Sequence, residues 1–479
     1  NLKIYKTNPM KMNSLFGSVL KSKFLPISLV ALLAISCSSD IKHQLPYLDV
    51  SENNRFLVTE NGDPFFWLGD TGWLLFTKLT REEAEQYLED RRQKGFNVIQ
   101  VMVLHGLNVV NVYGDTALVG GKVDKPNVST GFSPDDPLQY DYWDHIDFMV
   151  NLAASKGIYM ALVPVWGSNV RAGNVTREEA ERYASWISER YRKMSNVIWL
   201  NGGDVKGSDS TAVWNTMGET IRRNAPEQLI TFHPFGRTRS SEWFHNESWL
   251  DFNMFQSGHK RYSQDTAGYA FGEDNWKYAN IDYMLKPVKP TLDGEPSYEG
   301  IPQGLHDTLQ PRWNASDVRR YAYWSLFSGC CGFTYGHNSI MQFFRPGDRP
   351  AYGAKEYWYS AINSPGAAQM HYLKELILSK SYFDRVPANN LLSQPQGEKY
   401  DYIAVTRGAD YVLAYTYNGS NISLLINEPG WSSFKASWFD PRTGNISVTE
   451  GRETDKNFSF DPPGNKEDGN DWVLILERT

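Results

Sequence analysis

The sequence is poor in cysteine, has no excess of basic residues and contains no long apolar run. Its 479 residues include three cysteines, Cys37, Cys330 and Cys331, which provide neither a disulfide framework nor a metal-ligand spacing. Lysine and arginine number 48 against 55 aspartates and glutamates, a net charge of -7, which argues against a nucleic-acid-binding protein. The uncharged apolar run Phe24 to Ser36 is too short to cross a bilayer as a helix.

Aromatic residues, by contrast, are abundant. The chain has 16 Trp, 27 Tyr and 24 Phe, 14% of its residues, and is 41% hydrophobic and 22% charged. This composition supports a sizeable core and excludes wholesale disorder. An excess of Trp also suits a protein that stacks on the flat apolar faces of sugars, so the composition raises carbohydrate binding as a hypothesis.

The first 45 residues are predicted to be a signal peptide and tether rather than part of the fold. Lysines precede the run Phe24 to Ser36, which has the length of a signal-peptide hydrophobic region. The run leads into Leu-Ala-Ile-Ser-Cys at 33–37, which resembles a bacterial lipobox in which Cys37 is lipidated. A plain signal peptide with an incidental cysteine is the alternative. We therefore expect an exported protein with an N-terminal lipid anchor in the bacterial outer membrane, on the periplasmic face or the cell surface.

Eight apolar runs alternate with amphipathic helices after the N-terminal segment. The runs are nearly continuous, as buried parallel strands require. They are Phe65–Gly69, Val98–Leu104, Ile158–Trp166, Val197–Asn201, Leu229–Phe235, Phe252–Gln256, Pro290–Leu292 and Gly332–Tyr335. Eight such units over about 300 residues predict a TIM barrel. A doubly wound sheet is the alternative, but the sequence after the first run lacks a Gly-rich phosphate motif.

Helix signals fall between these runs. Capping boxes at Thr80 and Thr176 predict two helix starts, and Gly157 closes a helix that begins at Asp141. Further helices are predicted at 210–224 and 316–327, whereas the segment between the fifth and sixth strands is short and Trp-rich, so its helix is expected to be degenerate.

The pattern changes after about residue 385 to short strands separated by Gly, Asn and Pro turns. The strands are Tyr402–Thr406, Tyr411–Tyr417, Ile422–Ile426, Phe434–Phe439 and Trp472–Leu476. They predict a β-sandwich, and an Asn-Gly turn within 55–63 predicts a hairpin before the barrel. The predicted fold is α/β, a (β/α)8 TIM barrel followed by a small C-terminal β-sandwich, with divisions at 1–45, 46–385 and 386–479.

Carboxylates concentrate after the fourth and seventh strands. TIM-barrel active sites lie at the C-terminal ends of the strands, and here these ends carry Asp204 and the sequence from Asp293 through Glu295 to Glu299. Glycoside hydrolysis needs two carboxyl groups, one to protonate the leaving oxygen and one to attack the anomeric carbon or activate water. Such hydrolysis needs no cofactor, and the histidines show no short ligand spacing, so no metal is expected.

The strand ends also carry candidate substrate-binding residues. They are Asp70, Trp73, His105, Trp166, Asn201, His233, Gln256, His259, Tyr298, Glu299, Tyr335 and His337. Several have an alternative role: the histidines and tryptophans as core, Asp70 as an acceptor in its own turn, and Glu299 as a helix-start carboxylate or a rival nucleophile. Asp204 could also cap a helix. Asp293 is expected to be a structural acceptor, and the loop 105–140 is expected to wall the sugar subsites.

Several motifs in the same order carry a family resemblance. Phe66–Thr71 with Trp73, Asn201–Asp204, and Asp293–Pro296 with Tyr298 and Glu299 resemble the apiosidase-like glycosidases, family 140 and its relatives, common in gut Bacteroidetes. Trp438–Gly444 resembles their appended β-domain of the collagen-binding type. The resemblance implies that Asp204 is the acid/base and Glu295 the nucleophile of a retaining mechanism. The chain also resembles the large clan of retaining glycosidases whose acid/base follows strand four and whose nucleophile follows strand seven. That clan usually has Asn-Glu after the fourth strand, so the shorter carboxyl of Asp204 must reach further, which two glycines can allow.

These observations favour an exported glycoside hydrolase that cleaves a plant cell-wall glycan. The resemblance implies an apiose-containing pectic side chain as its target. Another retaining glycosidase acting on a galactan or mannan is one alternative. A non-catalytic glycan-binding surface lipoprotein is the other, although two acidic strand ends argue against it. The β-domain is expected to support the barrel, because Trp431, Trp438 and Trp472 occupy strand-like positions that suit a core.

Overall fold

A computed structural model describes residues 44–427, 431, 433–454 and 457–479. The predicted lipobox and its Cys37 lie outside the described residues. Within the described ranges, no helix combines the length and the apolar character needed to cross a membrane.

A small antiparallel sheet precedes the barrel. Its strands are β1 (Leu48–Val50), β2 (Leu57–Thr59) and β3 (Pro64–Phe65). Strand β2 pairs with both β1 and β3, so the predicted hairpin is present as β2–β3, with its turn at 60–63.

Eight parallel strands then form a nearly closed barrel in the order β8-β7-β6-β5-β4-β11-β10-β9. They are β4 (Trp67–Thr71), β5 (Val98–Leu104), β6 (Tyr159–Val165), β7 (Val197–Val205), β8 (Ile230–Pro234), β9 (Asn253–Phe255), β10 (Thr291–Asp293) and β11 (Gly332–Tyr335). The seam between β8 and β9 is bridged by the Asp251 N–H, which donates to the Ile230 carbonyl at 2.9 Å, and by the Thr231 hydroxyl, which donates to the Phe252 carbonyl at 2.6 Å. The predicted barrel is confirmed, although Phe65 ends β3 instead of starting β4.

Helices pack around the barrel where their sequence signals lie. They are α1 (Leu75–Lys78), α2 (Arg81–Gln93), α3 (Tyr142–Ser155), α4 (Gly167–Arg171), α5 (Arg177–Tyr191), α6 (Thr211–Asn224), α7 (Ser241–Phe244), α8 (Asn275–Tyr283), α9 (Ala315–Phe327), α10 (Asn338–Met341), α11 (Trp358–Ala361) and α12 (Pro365–Leu378). Thr80 and Thr176 form the predicted capping boxes of α2 and α5, and Asp141 forms a third at α3. Between the fifth and sixth strands, α7 is a single turn.

The C-terminal domain consists of two antiparallel sheets, ordered β12-β13-β14-β20-β16-β17 and β15-β19-β18. Its strands are β12 (Val386–Pro387), β13 (Ala404–Arg407), β14 (Tyr411–Thr416), β15 (Ile422–Leu425), β16 (Phe434–Phe439), β17 (Ile446–Thr449), β18 (Arg452–Thr454), β19 (Asn457–Phe460) and β20 (Trp472–Arg478). Trp431 and Trp438 are buried in its core, and Trp472 packs against that core.

The β-domain packs on helix α9 of the barrel through a buried ion pair. The Arg319 guanidinium donates to both carboxylate oxygens of Asp471, at 2.8 and 2.7 Å, and both side chains are almost inaccessible to solvent. Beside this pair the rings of Tyr323 and Tyr415 stack with centroids 4.7 Å apart. This packing is what a supporting domain requires.

We expect Asp471→Asn to destabilise the protein by about 3–5 kcal/mol, because it leaves the Arg319 charge buried without its counter-charge. The free energy of unfolding from urea titration measures the effect. Glu189→Gln is the matched control, since it breaks an ion pair with Arg192 whose side chains are 59% and 46% exposed. A control loss as large as that of Asp471→Asn would contradict the importance of the buried pair.

Candidate active site

A cavity of about 530 Å³ opens at the C-terminal ends of the barrel strands. The side chains of Asp204, at the end of β7, and Glu295, just after β10, both line it. Aromatic walls come from Trp73, Trp166 and Tyr298. The predicted carboxylate pair and three predicted aromatic residues therefore share one cavity.

A glycine bulge carries Asp204 into this cavity. Gly202, Gly203 and Asp204 have φ angles of 91°, 106° and 52°, all in the left-handed region, and the pairing of β7 with β8 shifts register here. A Cβ atom on Gly202 would lie 2.6 Å from the ring of Phe232, and one on Gly203 would lie 2.6 Å from the ring of Trp166. Only glycine fits at both positions, so the Gly-Gly pair is what allows this backbone course toward the cavity.

Donors from several strand ends surround Glu295. Nε2 of His233 lies 3.1 Å from its Oε2, and Nε2 of His259 lies 3.2 Å from its Oε1. The Tyr298 hydroxyl is also hydrogen-bonded to Glu295 and accepts a hydrogen bond from Trp73 Nε1 at 3.2 Å. The carboxylate is therefore buried yet well supplied with partners.

The two carboxyl groups have opposite pKa shifts. Burial, followed by the negative charge of Glu295, raises the pKa of Asp204 to about 6. Burial acts to raise the pKa of Glu295 as well, but hydrogen bonds and charge interactions with His233 and His259 outweigh it and hold that pKa at about 2. Between these values one group carries a proton and the other a negative charge, which is the division of roles that an acid and a nucleophile need.

Other predicted residues also belong to this site. Trp73, Trp166, Gln256, His259 and Tyr298 line the cavity. His233 is fully buried and reaches Glu295 from behind the cavity wall, and its Nδ1 accepts the Asp204 backbone N–H at 3.4 Å. His233 and His259 therefore both contact the carboxylate of Glu295.

The structure does not bring Asp70 into the cavity. Its carboxylate is completely buried and accepts hydrogen bonds from the Tyr87 hydroxyl at 2.6 Å and the Thr71 N–H at 2.8 Å. Arg91 lies 3.4 Å away. Asp70 therefore does not make the expected sugar contact. It is a buried acceptor for groups of the protein itself, including the backbone of its own turn.

Glu299 is likewise taken up by the fold. It accepts a hydrogen bond from the Tyr335 hydroxyl at 2.7 Å and another from the Gly366 N–H at 3.0 Å, at the start of α12. Glu299 and Tyr335 thus anchor that helix and do not line the cavity, contrary to the expected substrate contacts. His337 also departs from its expected role, since it caps α10 by accepting the Ser339 N–H at 3.0 Å.

Two further expected contacts also lie elsewhere. The Asn201 amide is buried and donates to the Trp214 carbonyl at 2.8 Å, whereas His105 is exposed and does not belong to the cavity lining. The loop 105–140, expected to wall the subsites, contributes none of the described lining residues. This loop instead packs outward on α3, where Trp143 Nε1 donates to the Ala117 carbonyl at 2.9 Å.

Asp293 is a structural acceptor, as expected. Its Oδ2 accepts hydrogen bonds from the Ser257 and Ser325 hydroxyls and the Asn275 amide, at 2.8, 3.1 and 3.0 Å. Burial raises its pKa to about 7. Across the described ranges, no group of three or more His, Cys, Asp or Glu side chains is arranged to hold a metal ion.

Part of the cavity wall is formed by residues that the sequence did not indicate. They include Arg237, Lys260, His306, Gln342 and Tyr352. These side chains lie on the loops after β8, β9, β10 and β11, beyond the first residues after each strand. Only Lys260 had a nearby signal, since it directly follows His259.

Comparison with known proteins identifies the family of both domains. Residues 51–384 match the family model described as "Apiosidase-like, catalytic domain", and residues 386–477 match "Putative collagen-binding domain of a collagenase". No curated protein shows significant similarity to the chain.

Two solved structures are similar over nearly their whole length. A protein described as "Glycoside hydrolase" has 42% sequence identity and a TM-score of 0.84, with 91% of this chain and 97% of that chain covered. A glycoside hydrolase family 5 protein from Bacteroides vulgatus has 42% identity and a TM-score of 0.83, with 90% and 93% covered. A third, also from B. vulgatus, shares the fold at 15% identity and a TM-score of 0.62, with 91% of this chain and 83% of that chain covered.

The family match spans the barrel, the bulge that carries Asp204 and the segment that carries Glu295. The chain belongs to the apiosidase-like family of glycoside hydrolases.

Proposed function

We propose that this glycoside hydrolase cleaves an apiose-containing side chain of a pectic glycan by a retaining mechanism, with Asp204 as acid/base and Glu295 as nucleophile. The observation that carries the catalytic assignment is the presence of both carboxyls in one cavity, with pKa values of about 6 and about 2. A group that keeps its proton and one that stays ionised are the two reagents required.

In this mechanism Glu295 attacks the anomeric carbon while Asp204 donates its proton to the leaving oxygen. A glycosyl–Glu295 ester and the free leaving alcohol result. Asp204, now ionised, takes a proton from water, which attacks the same carbon and releases Glu295. The histidine donors at Glu295 favour its departure as a carboxylate in this second step, because they stabilise the negative charge.

The charge of the cavity supports an acidic glycan. Arg237 and Lys260 both line it, and the Arg237 Nε lies 3.1 Å from Asp265, which fixes the guanidinium. Cations beside a sugar site favour substrates that carry carboxylates, as pectic uronic acids do. A neutral mannan or galactan offers no partner for the Lys260 ammonium, whereas the Arg237 charge is already paired with Asp265.

A screen against pectic oligosaccharides, with the released sugars identified, tests the substrate. Proton NMR at early times tests the mechanism, since a retaining enzyme first releases the sugar with the same anomeric configuration as it had in the substrate. Release of another sugar from a neutral glycan would favour a different glycosidase of the same kind, and the opposite anomer would favour inversion.

The proposed location is the outer membrane, through a lipid on Cys37. The lipobox-like sequence at 33–37 supports it. An anchored enzyme of this kind would act on polysaccharide at the periplasmic face or the cell surface.

We expect Asp204→Asn to lower kcat by about 10²–10⁴-fold and Glu295→Gln to abolish turnover, because each variant removes one reagent and leaves the shape unchanged. Steady-state kinetics on the natural glycan measure both effects, and circular dichroism shows whether folding is intact. Asp293→Asn is not a suitable control, because that carboxyl is buried in a hydrogen-bond network. Lys122→Met, which changes an exposed surface lysine, is the control. Full activity of both carboxyl variants would refute the assignment.

The pH dependence of kcat/KM follows from the two pKa values. Asp204 must be protonated, so activity is lost as pH rises through about 6, whereas Glu295 must be ionised, so activity is lost only as pH falls through about 2. The measurement is a pH–rate profile. Asp204→Asn, assayed on an aryl glycoside whose leaving group needs no proton, should lose the alkaline limb. An alkaline limb that persists in this variant would show that another group titrates.

We expect Lys260→Met to raise KM for an acidic oligosaccharide about tenfold, a loss of about 1.4 kcal/mol, with little change in kcat. The reason is that the ammonium would pair with a substrate carboxylate in both ground and transition states. The matched control is Lys122→Met, because the ammonium of Lys122 lies on the surface near Glu179. An equal KM increase on the methyl-esterified substrate would contradict charge recognition.

A further inference from the structure

A tyrosine of the β-domain contacts a loop of the active site. Tyr400 lies in the turn 399–401 before β13, and its hydroxyl is 2.9 Å from both carboxylate oxygens of Glu273. The same hydroxyl accepts a hydrogen bond from Arg261 at 3.0 Å. Arg261 belongs to the loop after β9, in which His259 and Lys260 line the cavity.

The carboxylate that Tyr400 contacts is itself firmly held. Glu273 is fully buried and pairs with the buried Arg320 at 2.8 Å. The Arg320 guanidinium lies 4.7 Å from the ring centroid of Tyr400 and 4.9 Å from that of Tyr417, both in the β-domain. A buried charge pair between aromatic rings has few alternative arrangements, so Tyr400 offers the loop a rigid attachment.

Arg261 connects Tyr400 to both loops that border Glu295. Its guanidinium donates to the Gln303 side chain at 3.3 Å, and the Gly304 N–H donates to the His259 carbonyl at 2.8 Å. Segments 258–264 and 301–306 are therefore cross-linked. His259 lies inside this cross-link and faces Glu295 at 3.2 Å.

We propose that Tyr400 is a positioning residue for the catalytic carboxylate: by holding Arg261 it sets His259 against Glu295, so the β-domain completes the active site of the barrel. The inference rests on the proposed role of Glu295 as nucleophile. It assigns the domain a part in catalysis that requires neither collagen nor glycan binding.

The groups that face Glu295 come from several elements. They are the carboxyls of Asp204 and Asp293, the imidazoles of His233 and His259, and the hydroxyls of Tyr298 and Tyr352. Among these, only His259 belongs to the loop that Arg261 and Tyr400 hold. A hydrogen bond from His259 lowers the pKa of Glu295, so a loosened His259 raises it.

Tyr400→Phe tests the proposal, because it removes the hydroxyl and keeps the ring beside Arg320. We expect kcat at the pH optimum to fall about tenfold with KM within about twofold, as displacement of a reacting group produces. The acidic limb of the kcat/KM profile should also move upward by about one pH unit, because Glu295 would then lose its charge at a higher pH. A merely structural role would lower the melting temperature without moving this limb.

Tyr411→Phe is the matched control. The Tyr411 hydroxyl also links the β-domain to the barrel, by donating to the Ser381 carbonyl at 3.1 Å, but this bond is not part of the Arg261–Glu273 network. Its profile should superimpose on that of the unmodified enzyme. Arg261→Met attacks the same link from the loop side and should reproduce the kcat loss and the shifted limb, which keeps the test decisive if Tyr400→Phe folds poorly.

The outcomes separate the two proposals. Unchanged kcat and an unchanged acidic limb in Tyr400→Phe or Arg261→Met would overturn the positioning role, as would an equal shift in Tyr411→Phe. If Glu295→Gln remains active, the proposed function itself fails. If Glu295→Gln is inactive while the Tyr400 and Arg261 variants behave like the unmodified enzyme, only the further inference fails.

Discussion

The burial of one ionised carboxylate, Glu295, is the constraint on which the active site depends. Removing a carboxylate from water costs several kcal/mol, so the charged form persists only where donors replace the solvent. Here they come from His233 near the end of β8, His259 after β9 and Tyr298 after β10. Two of these donors are held in turn, since Trp73 donates to Tyr298 and the Asp204 backbone donates to His233. Five strand ends are thereby fixed around a single group.

The same arrangement explains why Asp204 behaves differently. It is largely removed from water and lies beside the negative charge of Glu295, and these two effects raise its pKa more than the neighbouring His233 and a backbone hydrogen bond from Gly236 lower it. Two carboxyls in one cavity thus acquire separate roles from their surroundings rather than from their chemical type. The bulge at Gly202 and Gly203 is necessary for this, because a Cβ at either position would collide with an aromatic ring.

The sequence predicted the barrel well because its strands are nearly continuous apolar runs and its helices carry explicit caps. Strands β17 to β19 were missed because they are short and partly polar, with Ile446 61% and Val448 70% exposed. In the site, strand-end position identified the carboxyl pair but failed for Asp70 and Glu299. Their partners, Tyr87 and Gly366, lie 17 and 67 residues away along the chain, and no local pattern indicates which acid a distant donor will engage.

The conformations of the cavity loops could not be predicted either, because they also depend on contacts between residues far apart in the sequence. Helix α9 provides an example. Consecutive residues on a helix point about 100° apart, so Arg319 and Arg320 face different partners. Arg319 binds Asp471 of the β-domain, while Arg320 binds Glu273, the acid that Tyr400 contacts beside the catalytic loop. Well-packed apolar residues could stabilise such an interface equally well, but they would not specify one partner for each side chain. Two adjacent buried charges therefore couple the placement of the second domain to the loop that holds His259, a coupling visible only once both domains are folded together.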